Sequence, residues 1–122
     1  MAELLVKTHP EVLFANMQNS IDIILRMENK GQVCWAEADV NVPEKISLSP
    51  TSQLGKGRIR IGIIDSGAFL EKAIKVYASS DTEPGTYDCN IILFTYNKDG
   101  VVEERLEKTA DIQCEPKRKE VL

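Results

Sequence analysis

At 122 residues the chain suits one domain, and folding at this size buries roughly two-thirds of the surface an extended chain exposes, so neither a metal nor a disulfide is needed to hold it. A hydrophobic content of 43% beside 28% charged residues argues against a wholly disordered chain, and a net charge of −4 argues against a global pull towards nucleic acid or anionic lipid. No run approaches the roughly 20 apolar residues that cross a bilayer, so no membrane span is expected. The first residues lack the basic and apolar regions of a signal peptide. Cys34, Cys89 and Cys114 are odd in number and lack CxxC spacing, as reduced thiols do; with Met1 as the native start, the chain is expected to be cytoplasmic.

In chain order, Leu4-Leu5-Val6 and Val12-Leu13-Phe14 are two apolar runs split by His9-Pro10, which predicts an edge strand that breaks and changes sheets, because proline lacks the donor that a ladder needs. From Ser20 to Glu28, Ile21, Ile23, Leu25 and Met27 alternate with polar residues, and only Ile24 interrupts the period of two. Asn29-Lys30-Gly31 predicts a turn at positive φ. Cys34, Ala36, Ala38, Val40 and Val42 then oppose Trp35, Glu37, Asp39 and Asn41 on a strand that Pro43 ends. Lys45 to Ser49 predicts a short strand and Pro50 to Gly57 a loop. Arg58 to Ile64 resumes the alternation through Ile59, Ile61 and Ile63, with Gly62 marking a bulge or a packing contact. Ala68 to Ala78 fits helical and strand spacing alike; its β-branched and aromatic Ile74-Lys75-Val76-Tyr77 favours a strand.

The stretch from Asp81 to Leu106 organises the rest. Glu83-Pro84-Gly85 opens a long strand from Tyr87 to Tyr96, and Lys98-Asp99-Gly100 reverses it, with Asp-Gly as a strong hairpin signal. Both faces of its second half carry apolar area, which predicts a central strand. Val102, Glu104, Leu106, Lys108, Ala110, Ile112 and Cys114 continue the return strand on one face. Residues 1–114 are read as a single domain and residues 115–122 as a flexible charged tail. Seven to nine strands with turn signals every ~8–12 residues predict an all-β antiparallel sandwich.

Asn29-Lys30-Gly31 after an alternating strand, and Pro84-Gly85-Thr86-Tyr87 before a long strand and an Asn-Lys-Asp-Gly hairpin, resemble the immunoglobulin-like sandwich modules of archaea and bacteria, those of the CARDB type among them. Tyr87, two residues before Cys89, also resembles the tyrosine corner of the immunoglobulin fold, which implies a hydroxyl bonded to the upstream backbone. The resemblance covers roughly residues 12–114 as a pattern and implies a fold, hardly a function. Two departures stand out. Cys34 and Trp35 are adjacent, and Ile21 to Met27 holds no cysteine, so an intersheet disulfide is not expected. The modules of that kind are mostly exported, whereas this chain shows no signal.

The chemistry-bearing residues are scattered. His9 with Cys34, Cys89 and Cys114 is the one set that a fold would have to gather to make a nucleophilic pair or a zinc site, and its spacing is not that of a metal motif. The rows Glu37-Asp39-Asn41 and Glu103-Arg105-Glu107 read as solvated sheet faces. Gly55-Lys56-Gly57-Arg58 lacks the spacing and following helix of a phosphate loop. Lys56, Arg58 and Arg60, with Lys117, Arg118 and Lys119, are the cations open to nucleic acid, and Trp35, Tyr77 and Tyr96 the stacking groups, on a chain whose overall charge opposes that role.

Trp35 is out of phase with Cys34 and Ala36 on a strand whose other outward residues are polar. Exposed, it would anchor a partner; turned inward, it would exchange places with Cys34. The expected function is therefore a non-catalytic protein-interaction or structural module, with Trp35, Glu37 and Asp39 as interaction residues, an unidentified protein partner, and no cofactor or metal. Self-association through edge strands is a further expectation. The alternatives are a small metal-binding protein or enzyme using His9 and the cysteines, and a weak nucleic-acid-binding protein.

Overall fold

Strands with one apolar face are stable only when those faces are buried together. A computed structural model describes residues 2–117 and shows how this chain does so. Its strands are β1 (Ala2–His9), β2 (Val12–Phe14), β3 (Asn19–Asn29), β4 (Cys34–Asn41), β5 (Ile46–Ser47), β6 (Lys56–Ile64), β7 (Phe69–Ala78), β8 (Gly85–Tyr96) and β9 (Val102–Glu115). They form a four-stranded sheet in the order β1-β3-β7-β5 and a five-stranded sheet in the order β2-β9-β8-β4-β6. The inner faces meet in one core. Ile21, Ile23, Leu25 and Met27 from β3 and Val76 from β7 are buried with Ala36, Ala38 and Val40 from β4, Cys89, Ile91 and Leu93 from β8, and Ile112 from β9. This is the all-β, immunoglobulin-like sandwich expected from the alternation.

The break at His9-Pro10 does what the missing proline donor predicts. β1 pairs antiparallel with β3 in one sheet, and two residues later β2 pairs parallel with β9 in the other. β8 lies between β4 and β9, a central strand as its two apolar faces require. The ambiguous segment is β7, paired with β3 from Asn19↔Ala78 to Glu28↔Phe69. A helix there would leave the edge of β3 that faces away from β1 unpaired. Tyr87 donates its hydroxyl to the Glu83 carbonyl at 2.6 Å, the corner geometry that its position implied. At the hairpin, Gly100 takes a φ of 78°, while the Asn97 side-chain oxygen accepts from the Asp99 and Val101 amides.

The structure corrects several local expectations. Asn29 is not a turn residue at positive φ; it ends β3, buried, and its side-chain amide donates to the carbonyls of Gln32 (2.7 Å) and Ile64 (2.9 Å) while its side-chain oxygen accepts from Gly31 (3.0 Å). An inward asparagine with these partners pins the end of one sheet to the end of β6 in the other. The strand expected at Lys45 to Ser49 shortens to Ile46–Ser47, because Ser47 Oγ instead donates to the Ser52 carbonyl and accepts from the Leu54 amide, folding the following loop back. β9 continues through Glu115, where the tail was expected to begin. Residues 118–122 of that expected tail lie outside the described residues.

Two further corrections matter most for the surface. Ile59, Ile61 and Ile63 do not share a face, because the β4–β6 register shifts beside Ala36/Glu37: Ala36 lies opposite Gly62 but Glu37 opposite Arg60. The extra residue turns Ile63 outward, 70% exposed, and Ile64 inward. Gly62 carries this bulge at a φ of 128°, and an added Cβ there would lie 3.4 Å from Leu70 Cδ1, so the residue marks both a bulge and a packing contact. Likewise Val102 does not share the inner face with Leu106. A shift at Thr95/Tyr96 sets Tyr96 opposite Val102, which is 50% exposed.

Candidate functional site: the outer face of the five-stranded sheet

With Cys34, Ala36, Ala38 and Val40 buried, the pleat of β4 sends Trp35, Glu37, Asp39 and Asn41 to the outer face. The alternative in which Trp35 turns inward and Cys34 outward does not occur. Neighbouring strands share this face in transverse rows. The first runs Ile63, Trp35, Tyr96, Val102 across β6, β4, β8 and β9. The second is Arg60, Glu37, Phe94 and Arg105, and the third Arg58, Asp39, Ile92 and Glu107.

The first row is apolar from edge to edge. Trp35 and Tyr96 stack with ring centroids 4.1 Å apart and planes 14° from parallel, so the indole is held rigid while one of its faces is covered. Ile63 and Val102 flank the pair, each placed there by a register shift in its own strand. Neither residue is out of phase in the sequence itself. Gly62 was the one legible signal, and nothing comparable marks the bulge near Val102. Trp35, Ala36, Arg60, Gly62 and Ile63 line a shallow hollow at the β6 end of this row.

The next two rows carry Phe94 and Ile92 among charged residues that pair with one another. Arg58 grips Asp39 with two hydrogen bonds, Nε to Oδ1 at 2.6 Å and Nη2 to Oδ2 at 3.1 Å. This grip holds the Asp39 carboxyl below its ordinary range and raises the Arg58 guanidinium above its own. Glu37, only 12% exposed in its side chain, lies 3.7 Å from Arg58 and 3.8 Å from Arg60, and accepts from the Tyr96 hydroxyl at 3.4 Å. The two expected acidic site residues thus brace the face and orient its arginines. At the far end, Asp88 lies opposite Asp111, and hydrogen bonding between these carboxyls raises the Asp88 pKa.

The remaining candidates are not brought together. His9 is exposed on the outer side of the four-stranded sheet, opposite Asp22, whereas Cys34, Cys89 and Cys114 are buried on the inner side of the other. Burial raises the thiol pKa of all three and pushes Cys89 up to about 12, which disfavours the reactive thiolate. Among the described residues, no three His, Cys, Asp or Glu side chains converge to hold a metal ion. Lys56, Arg58 and Arg60 line one edge, but Trp35 and Tyr96 stack on each other and Tyr77 lies on the opposite sheet. No helix among the described residues is long and apolar enough to cross a membrane.

No family model and no curated protein matches the sequence. Solved structures do resemble the fold. A FixG-related protein from Vibrio parahaemolyticus superposes with a TM-score of 0.58 at 19% identity, over 93% of this chain and 95% of that one. A CARDB domain from Pyrococcus furiosus, solved in complex with di-metal ions, superposes with a TM-score of 0.52 at 15% identity, over 95% and 96% of the two chains. Both likenesses are of fold, and the second agrees with the resemblance read from the sequence.

Proposed function

We propose that this domain is a non-catalytic module that binds another protein through the apolar row Ile63, Trp35, Tyr96 and Val102. One observation carries the reading: two separate bulges, one in β6 and one in β9, deliver exposed aliphatic side chains to the two sides of a rigid tryptophan–tyrosine stack. Bulges re-aim side chains, and a packed aromatic anchor ringed by polar groups is the usual make-up of an interface hot spot. Glu37 and Asp39 support the row by holding Arg58 and Arg60 beside it. The module needs no cofactor in this reading and works in the cytosol, where its three free thiols stay reduced.

The test is affinity capture from source lysate on the immobilised domain, with and without nuclease, beside Trp35→Ala and Ile63→Ser variants whose folding is checked by circular dichroism. A partner retained after nuclease and lost with both folded variants is the expected result. Capture that disappears with nuclease, or that both variants retain, would overturn the proposal.

A further inference from the structure

The geometry points to a second recognition element: the open edge of β6, which takes up an extended partner segment in which apolar and acidic residues alternate. This inference concerns the partner's chemistry and stands apart from the apolar row. Among the described residues, β6 ends its sheet with no strand beyond it. β6 is nine residues long, and its stretch from Lys56 to Ile61 precedes the bulge. An edge of this length presents backbone donors and acceptors that another strand can pair.

The side chains on β6 specify what that strand must carry. On the outer side, Lys56, Arg58 and Arg60 recur at every second residue. The Arg60 side chain is 90% exposed and lies 3.8 Å from Glu37. On the inner side, Ile59 and Ile61 are only partly buried against the core. Leu48 and Leu70 reach towards the strand, since a Cβ at Gly57 would lie 3.2 Å from Leu48 Cδ1 and one at Gly62 3.4 Å from Leu70 Cδ1. A strand beside Lys56 to Ile61 would therefore set alternate side chains against isoleucine and leucine, and the others opposite three cations. Apolar residues fit the first positions and carboxylates the second. The same three cations oppose pairing with another β6, so the edge selects an acidic strand and rejects its own copy. The bulge at Gly62 ends the pairable stretch.

The probe is a capped, fluorescently labelled peptide alternating valine and glutamate, N-methylated on the edge facing away from β6 so that it cannot self-pair. A lysine-for-glutamate counterpart is the control. Anisotropy titration should show the glutamate peptide binding about tenfold more tightly than the lysine one, which is what a few screened ion pairs supply together, with a gap that narrows as salt rises. Arg60→Glu combined with Lys56→Glu should invert the preference, whereas Trp35→Ala should leave it unchanged. Hydrogen exchange should then show new protection confined to β6. Equal binding of the two peptides, a preference that survives the double reversal, or protection on β4 and β8 without β6 would each overturn the inference. Loss of peptide binding with Trp35→Ala would also overturn it, by placing the peptide on the apolar row.

Discussion

The two outer faces of this sandwich are built from the same alternation yet differ in character. On the four-stranded sheet, β1, β3 and β7 pair residue for residue without a register shift. Arg26 binds Glu28 and Glu71 there, each at 3.1 Å, and lies 3.6 Å over the Phe69 ring, while Lys30 pairs with Glu3 at 3.2 Å. Of its exposed large apolar residues, Leu5 lies opposite that arginine across β1 and β3, and Phe69 lies under its guanidinium. On the five-stranded sheet, two register shifts break the alternation at one end, and an apolar row crosses the face there. Uninterrupted pairing keeps a polar face polar. A single extra residue exchanges inside for outside in everything beyond it, so a bulge turns core-type sequence into recognition surface.

The joint between the sheets should be the easiest part to break. Asn29→Ala removes hydrogen bonds to the β3–β4 connection and to the end of β6 and leaves carbonyls without donors, so denaturant unfolding should show a loss of about 2–4 kcal/mol. Gly62→Val attacks the difference between the faces directly, since a β-branched residue is strained at this φ; the expected cost is about 1–3 kcal/mol by thermal unfolding, with partner capture weakened as Ile63 is re-aimed. Trp35→Ala should cost about 1 kcal/mol, the loss of one half-exposed aromatic pair, while abolishing capture.

Two smaller effects sharpen the comparison. Because the Asp88 pKa is raised in the folded state, the stability gained from the shared proton is complete below the ordinary carboxylate value and is lost as pH rises through the raised one. Asp39 works oppositely: its lowered pKa adds stability above the ordinary value, lost as pH falls through the lowered one. Melting temperature followed across the acid range should therefore show Asp88→Asn removing the loss on the upper side of that window while leaving the acid-side loss intact. Arg26→Gln, on the regular face, should shift stability least and leave capture unchanged; lost capture would mean that both faces take part.

Much of this was legible because it is local. The Ile21 to Met27 alternation, the Asp-Gly hairpin, the change of sheet at His9-Pro10 and the Tyr87 corner all follow from neighbours within a few residues, whereas the direction of Trp35 stayed open until the pleat of β4 settled it. Asn29 misled because asparagine in a turn and asparagine buried at a strand end look identical in sequence; the Ile64 carbonyl that Asn29 satisfies lies at the end of β6, 35 residues away. Lys45 to Ser49 misled because Ser47 has two uses for its hydroxyl, and the loop beyond it decided between them.

By itself, then, the sequence determined most of the strands, their buried faces away from the bulges and the class of fold, since a period of two is a property of consecutive residues. Tertiary structure decided which strands became neighbours and where their registers slipped, because register depends on a partner strand distant in the chain. Ile63 and Val102 reached the row beside Trp35 and Tyr96 only through that pairing.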